Sequence, residues 1–233
     1  MRLAITRQLS QIDDIIHIAS ARGIEIVSLP LIKTENLKFK IDENKMRQVD
    51  WLFFSSVNGV HAFFERLREL DIHPRQETKI GAIGMKTAEA LAYYGLKVDF
   101  VPEEAYGKNL FLEFLKKVAS GKETVMYSRA KKIVFDPECL FRLAGIGYYP
   151  VVSYEAREGD ISEGVVSSLS ETNFILFTAP STIRSYHKKF GIPIARTIAI
   201  GRTTAKEMDL HNWQIFKIMD IPKVDMVLNY IGS

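Results

Sequence analysis

One cysteine, Cys139, stands among 233 residues, and a single thiol excludes any intrachain disulfide framework. The five histidines are scattered, no two at metal-ligand spacing, and no HExxH or CxxC occurs, so a metal centre has little to draw on. Charge of one sign is also scarce. Lys and Arg number 31 against 28 Asp and Glu, a formal net charge of +3, without the concentrated basic face that nucleic-acid binding requires. Long hydrophobic runs are missing: the longest, such as 51–54, span a few residues, far short of the ~18 of a membrane helix. The first residues, MRLAITRQLSQIDD, carry acids by residue 13 and no apolar stretch, so they do not read as a secretory signal. With one free thiol, the cytoplasm is the expected compartment. Nucleotide fingerprints are lacking too. The stretch 81–84 is not GxGxxG, and Gly84-Met-Lys-Thr matches only the tail of a phosphate loop. No nucleophile–His–acid arrangement stands out.

What remains is the composition of an ordinary globular protein, 47% hydrophobic and 25% charged. Two textures alternate along it. Short β-rich runs at 3–5, 24–29, 51–54, 80–83, 98–101, 124–127, 148–152, 174–177, 197–200 and 214–218 read as strands. Helix-period stretches separate them, at 57–70, 87–93, 110–118, 183–190 and 204–210. Apolar runs without alternation suit strands buried on both faces, and their alternation with helices predicts a parallel α/β sheet. Cys139 falls in an apolar helical stretch, Cys139-Leu-Phe-Arg-Leu, and is expected to be a buried small hydrophobe.

The chain repeats itself. Asp50-Trp-Leu-Phe-Phe-Ser-Ser-Val-Asn-Gly matches Asn173-Phe-Ile-Leu-Phe-Thr-Ala-Pro-Ser-Thr; Ala82-Ile-Gly-Met-Lys-Thr-Ala matches Ala199-Ile-Gly-Arg-Thr-Thr-Ala; Leu3-Ala-Ile-Thr-Arg matches Val125-Met-Tyr-Ser-Arg. The offsets are 123, 117 and 122 residues, and three pairs at nearly one offset indicate a duplicated α/β unit. Two foldings fit this order. Either two contiguous domains join near residue 121, or a central domain is inserted into a discontinuous one. In the second case the polar stretches 33–40 and 153–160 are the chain crossings.

Every repeated motif falls at a strand-to-helix junction, where open parallel sheets bind ligands and helix N-termini favour anions. The junctions present Thr6 and Arg7; Ser55, Ser56 and Asn58; Gly84, Lys86 and Thr87; Ser128, Arg129, Lys131 and Lys132; Thr178 and Ser181; and Gly201, Arg202, Thr203 and Thr204. Hydroxyls, amides and cations dominate and carboxylates are absent, which describes a cleft for a large polyanion. Taken singly, the Ser, Thr and Asn residues are helix N-caps, and Gly84 and Gly201 serve tight turns. Tyr154, in Val151-Val-Ser-Tyr-Glu, is a candidate proton donor, because a phenol keeps its proton at neutral pH. A packing role competes with that reading.

Together these motifs resemble uroporphyrinogen-III synthases of the HemD-like family: Phe53-Phe-Ser-Ser-Val-Asn58, Ile83-Gly-Met-Lys-Thr-Ala88, Pro150-Val-Val-Ser-Tyr154, Phe177-Thr-Ala-Pro-Ser181 and Ile200-Gly-Arg-Thr-Thr-Ala205. The resemblance implies two flavodoxin-like parallel-sheet domains joined by a two-stranded β-ladder. One would comprise residues 1–34 plus 157–233 and the other 38–153, with linkers at 33–40 and 153–160. It also implies a lyase that cyclises hydroxymethylbilane, a linear tetrapyrrole with eight carboxylates, to uroporphyrinogen III with loss of water and inversion of ring D. Tyr154 would be the acid. Thr87 and Thr204 match the two GxxTA threonines, and Ser55, Ser56, Thr178 and Ser181 match the binding loops. Ala179 stands where the family often has serine, which implies a backbone contact there. Arg7, Arg129 and Arg202 are inferred as carboxylate partners. The implied protein is a monomer without metal or cofactor, nucleic-acid partner or membrane. The alternative is a cytoplasmic two-domain α/β module that binds a small polyanion without catalysis.

Overall fold

The computed structural model describes residues 1–231; Gly232 and Ser233, the end of the expected 157–233 segment, lie outside the described residues. In chain order the elements are β1 (Arg2–Ile5), α1 (Asp13–Ser20), β2 (Glu25–Ser28), β3 (Ile32–Asn36), α2 (Glu43–Gln48), β4 (Trp51–Phe54), α3 (Val57–Glu69), β5 (Lys79–Ala82), α4 (Met85–Tyr93), α5 (Gly107–Lys117), β6 (Thr124–Ala130), α6 (Glu138–Leu143), β7 (Gly147–Glu158), α7 (Glu163–Ser168), β8 (Phe174–Phe177), α8 (Pro180–Phe190), β9 (Arg196–Ala199), α9 (Arg202–Leu210), β10 (Ile215–Ile218) and α10 (Val224–Ile231). They form two compact units. Unit 1 comprises Met1–Lys33 and the chain from Arg157 onward, and unit 2 comprises Thr34–Ala156. No helix of the described residues is long and apolar enough to cross a membrane.

Unit 1 is built on the sheet β10-β9-β8-β1-β2, and unit 2 on β3-β7-β6-β4-β5. Pairing is parallel from β10 to β2 and from β7 to β5. β3 is the exception. The Leu37 N–H donates to the Ser153 carbonyl and the Gly159 N–H to the Leu31 carbonyl, so numbering rises along β3 as it falls along β7, an antiparallel pair. The repeated motifs take equivalent places: β9-β8-β1-β2 in one sheet corresponds to β5-β4-β6-β7 in the other.

The strands form because their residues are wanted on both faces. In β4, Leu52 and Phe54 join one core cluster while Trp51 and Phe53 join another, as period-2 alternation requires. Phe53 is fully buried and meets Phe114 edge-on at 4.8 Å between ring centres. Burying such a ring stabilises by ~1.5–3 kcal/mol. β1 divides likewise, with Leu3 and Ile5 on one side and Ala4 on the other. Gly23 and Gly145, at φ 67° and 75°, supply the left-handed residue that ends each helix before β2 and β7.

Three expectations need correction. The run 98–101 makes a single bridge, Gly81 to Phe100, instead of a strand. The Asp99 carboxylate there accepts the Ile80 N–H at 2.8 Å in place of a ladder carbonyl, and Pro102 ends the pairing. Cys139 is exposed. In six-residue α6 the inward position belongs to buried Phe141, and a residue two places away lies about 200° around the helix. Gly84 (φ 176°) and Gly201 (φ −179°) have extended backbone and are not tight turns.

Candidate active site

The chemistry-bearing groups of unit 2 gather at the carboxyl ends of its strands. α3 buries Val60, Phe63, Phe64 and Leu67, which fixes its first turn above the sheet. Ser56 caps that turn: its Oγ accepts the Gly59 N–H at 3.0 Å. The same Oγ lies 2.7 Å from the Tyr154 hydroxyl. One residue earlier, Ser55 Oγ lies 2.6 Å from the Tyr127 hydroxyl. Two consecutive serines at one helix N-terminus therefore hold two phenols.

A bulge brings Tyr154 to Ser56. The β6–β7 register runs Arg129 to Val152 and then Ala130 to Tyr154, leaving Ser153 as the extra residue. Such an insertion re-aims the side chains beyond it. Ser153 is buried, and its Oγ shares a 2.7 Å hydrogen bond with Ser128 Oγ. Ser128 in turn donates to the Gly59 carbonyl at 2.9 Å. The bulge, β6 and the first turn of α3 are thus tied together beneath the two phenols.

Both phenols and Ser55 line a cavity of about 460 Å³. Its walls include Ile83, Phe111 and Phe135, and Lys108 and Lys132 stand on its lining; no carboxylate does among the described residues. Burial pushes the ionisation of Tyr154 above the ordinary phenol value, and the Ser56 bond partly offsets this. Tyr127 is shifted the same way, by burial first and against its bond to Ser55. Both stay protonated at neutral pH, which suits them to donate a proton.

Unit 1 carries cations and threonines at its strand ends. The Thr6 hydroxyl is buried, donates to the Leu176 carbonyl at 3.1 Å and accepts the Thr178 N–H at 3.0 Å. The Thr178 hydroxyl donates back to the Thr6 carbonyl at 3.1 Å. These groups lock β1 to β8. The neighbouring Arg7 is half-buried, and burial lowers its guanidinium below the usual range. The half-buried Ser181 lies in the first turn of α8, and Arg202 is exposed at the start of α9. No side chain caps α4, α8 or α9, whose N-caps are Gly84, Ala179 and Gly201. Among the described residues their first N–H groups, which in α8 begin after Pro180, have no side-chain acceptor.

The candidates thus divide. Tyr154, Ser55 and Ser56 come together. Thr87, Thr204 and Ser128 are buried, and the two threonines lie within α4 and α9 instead of capping them. Asn58 is exposed and donates to Thr34 Oγ1 at 3.2 Å. Lys86 is exposed. Arg129 is half-buried and donates from Nη1 to the Ala130 carbonyl at 3.3 Å, while its buried Nε has no acceptor. Carboxylates are not wholly absent: buried Glu155 holds Lys131 at 3.0 Å. Tyr127, Lys108 and the cavity role of Lys132 escaped the sequence reading. Tyr127 had a signal, since it replaces Ile5 at the equivalent place in the repeat.

A model of the family described as uroporphyrinogen-III synthase HemD matches residues 13–229. The chain belongs to the uroporphyrinogen-III synthase HemD family. It is 27% identical over 223 residues to a porphyrin biosynthesis protein HemD of Ruminiclostridium josui, covering 91% of the chain but 44% of that relative. The chain therefore spans less than half the length of this HemD protein. It is also 27% identical to a putative uroporphyrinogen-III synthase of Methanocaldococcus jannaschii, covering 96% of the chain and 93% of that protein. The fold resembles uroporphyrinogen-III synthetase from Helicobacter pylori, with TM-score 0.67 at 21% identity over 99% of this chain and 98% of that one. It equally resembles a mutant synthase from Thermus thermophilus, with TM-score 0.65 at 17% identity over 99% and 97%. At these identities the structural likeness speaks for the HemD fold.

Proposed function

We propose that the chain is a uroporphyrinogen-III synthase that cyclises hydroxymethylbilane with loss of water and inversion of ring D. The observation that carries this reading is the Tyr154 hydroxyl, 2.7 Å from the Oγ of a serine fixed by capping α3 and facing a cavity. Tyr154 passes its proton to the ring A hydroxyl, which leaves as water. The pyrrole nitrogen supplies the electron pair, leaving an azafulvene cation. Ser56 then donates its own O–H to the phenolate. The substituted carbon of ring D attacks to form a spiro intermediate, which fragments and recloses inverted. The proton lost as ring D regains aromaticity restores Tyr154. The pyrrole drives every bond change, so the protein supplies orientation and one proton.

Within unit 2, Lys108, Lys132 and the uncapped start of α4, and within unit 1, Arg7 and the uncapped starts of α8 and α9, each favour carboxylates, of which the proposed substrate bears eight. The matching strand order of the two sheets supports descent from one duplicated unit. The test is direct. Supply hydroxymethylbilane, oxidise the product and resolve the isomers. Type III above the spontaneous type I background supports the reading. Binding of the bilane with only type I product would make the chain a polyanion-binding module instead.

A further inference from the structure

We propose that Tyr127 is a second proton donor of the same cavity, able to act in place of Tyr154. This rests on the synthase reading and extends it to a residue outside the motifs on which the family resemblance was drawn. Three observations point to it. Tyr127 and Tyr154 line one cavity. Each phenol is held by one of two consecutive serines, at 2.6 Å for Ser55 and 2.7 Å for Ser56. At the equivalent place in the repeat, unit 1 has Ile5, a fully buried core residue. A core position of this strand therefore accepts an aliphatic side chain, and the hydroxyl in unit 2 is not something packing requires.

The two serines differ in a useful way. Ser56 Oγ already accepts the Gly59 N–H, so its orientation is set by the helix. Ser55 precedes the helix and carries no cap. Its hydroxyl can rotate to donate to Tyr127 once that phenol has lost its proton. The step balances as it does for Tyr154: the Tyr127 O–H bond breaks, the proton joins the leaving hydroxyl, water departs, and the phenolate is held by Ser55. The proton returns from ring D at rearomatisation. An ionised Tyr154 opposes ionisation of Tyr127, so the two serve as alternates within one turnover and not in succession.

The experiment uses the full chain, with type III product resolved from type I. Wild type is measured first; a protein that yields only type I removes the synthase reading and this inference with it. Given type III product, kcat and KM are then measured for Tyr154→Phe, Tyr127→Phe and the double variant. A general acid contributes ~10²–10⁴-fold, so a shared one hides most of its value in single variants. We expect kcat to fall about 10-fold in Tyr154→Phe and about 2-fold in Tyr127→Phe, but by more than ~10² in the double variant, with KM held within about 2-fold. Residual turnover of Tyr154→Phe should also fall at alkaline pH as a phenol ionises, a limb absent from the double variant. If the double variant unfolds, Tyr154→Phe with Ser55→Ala keeps the Tyr127 phenol but removes the partner that holds its phenolate, and should turn over roughly 10-fold more slowly than Tyr154→Phe alone. A double variant no slower than Tyr154→Phe, or no slower than the product of the single effects, overturns the proposal.

Discussion

Ser56 does two separable jobs with one oxygen, and three residues at position 56 tell them apart. The Oγ accepts the Gly59 N–H at 3.0 Å as the cap of α3 and contacts the Tyr154 hydroxyl at 2.7 Å. Ser56→Ala removes both. Losing a serine cap to alanine costs ~1 kcal/mol, whereas loss to glycine costs only a few tenths, because glycine leaves the helix end open to water. Ser56→Ala should therefore lower the unfolding midpoint by ~2–4 °C and Ser56→Gly by about 1 °C or less. Their effect on turnover should instead be equal. Both delete the donor to the Tyr154 phenolate, and a hydrogen bond to a charged group is worth ~1.5–3 kcal/mol, so the fall should reach, and with Tyr127 as the alternate donor stop near, the roughly 10-fold expected of Tyr154→Phe. Ser56→Thr keeps the hydroxyl and should retain most of both properties. The assay pairs thermal unfolding with initial rates of type III uroporphyrinogen formation. If Ser56→Gly turns over at the wild-type rate while Ser56→Ala does not, rate follows the helix cap and the proton-donor assignment fails.

Other expectations are independent of Ser56. The Glu123 carboxylate is pushed up by burial, but the backbone N–H groups of Ser120, Gly121 and Lys122 hold it down at about 2 from its ordinary 4.5. A depressed carboxylate stabilises the fold fully above its unfolded value, and this is lost as pH falls from 4.5 towards 2. After allowance for solvent screening, Glu123→Ala should cost ~1–2 kcal/mol at pH 7 and flatten the acid denaturation profile in that window. Gly81→Ala would set a Cβ 2.6 Å from the Phe53 ring; denaturant titration should show a loss of ~1–3 kcal/mol from overpacking. Arg7 is a half-buried cation, so Arg7→Met should leave the unfolding midpoint unchanged or higher while raising KM for the bilane about 10-fold, the value of a charge-assisted contact. A lowered midpoint with unchanged KM would make Arg7 a structural residue.

Much of the fold was legible because strands such as β4 and β8 are four apolar residues in a row, which few other structures accommodate. The run 98–101 misled for the same reason: its composition is strand-like, yet the Asp99 side chain substitutes for a backbone acceptor. Cys139 misled because α6 is too short for its periodicity to show which face is buried. At the site, the serines and Tyr154 were legible as motif members. Their meeting was not, since it depends on the bulge at Ser153, and a one-residue insertion leaves no mark in hydrophobic pattern. Thr87 and Thr204 were read as caps from their nearness to a helix start. The caps are the preceding glycines, Gly84 and Gly201, and the threonine side chains are buried.

The repeat makes the division of labour visible. Aligned position by position, unit 2 has Ser56 where unit 1 has Ala179, and Tyr127 where unit 1 has Ile5. Unit 1 thus keeps neither the capping hydroxyl nor the strand phenol. Two of its junction hydroxyls, Thr6 and Thr178, bond to each other and to strand carbonyls, which fixes β1 against β8 and engages both in holding the sheet. It retains Arg7 and the uncapped starts of α8 and α9, features that attract anions without moving protons. In unit 2 the same scaffold holds two phenols against two serines. The chain has few histidines, one cysteine and no catalytic triad. On the proposed reading the substrate's pyrroles supply the electrons, and the hydroxyls of a single strand-to-helix turn are all the proton handling the protein has to add.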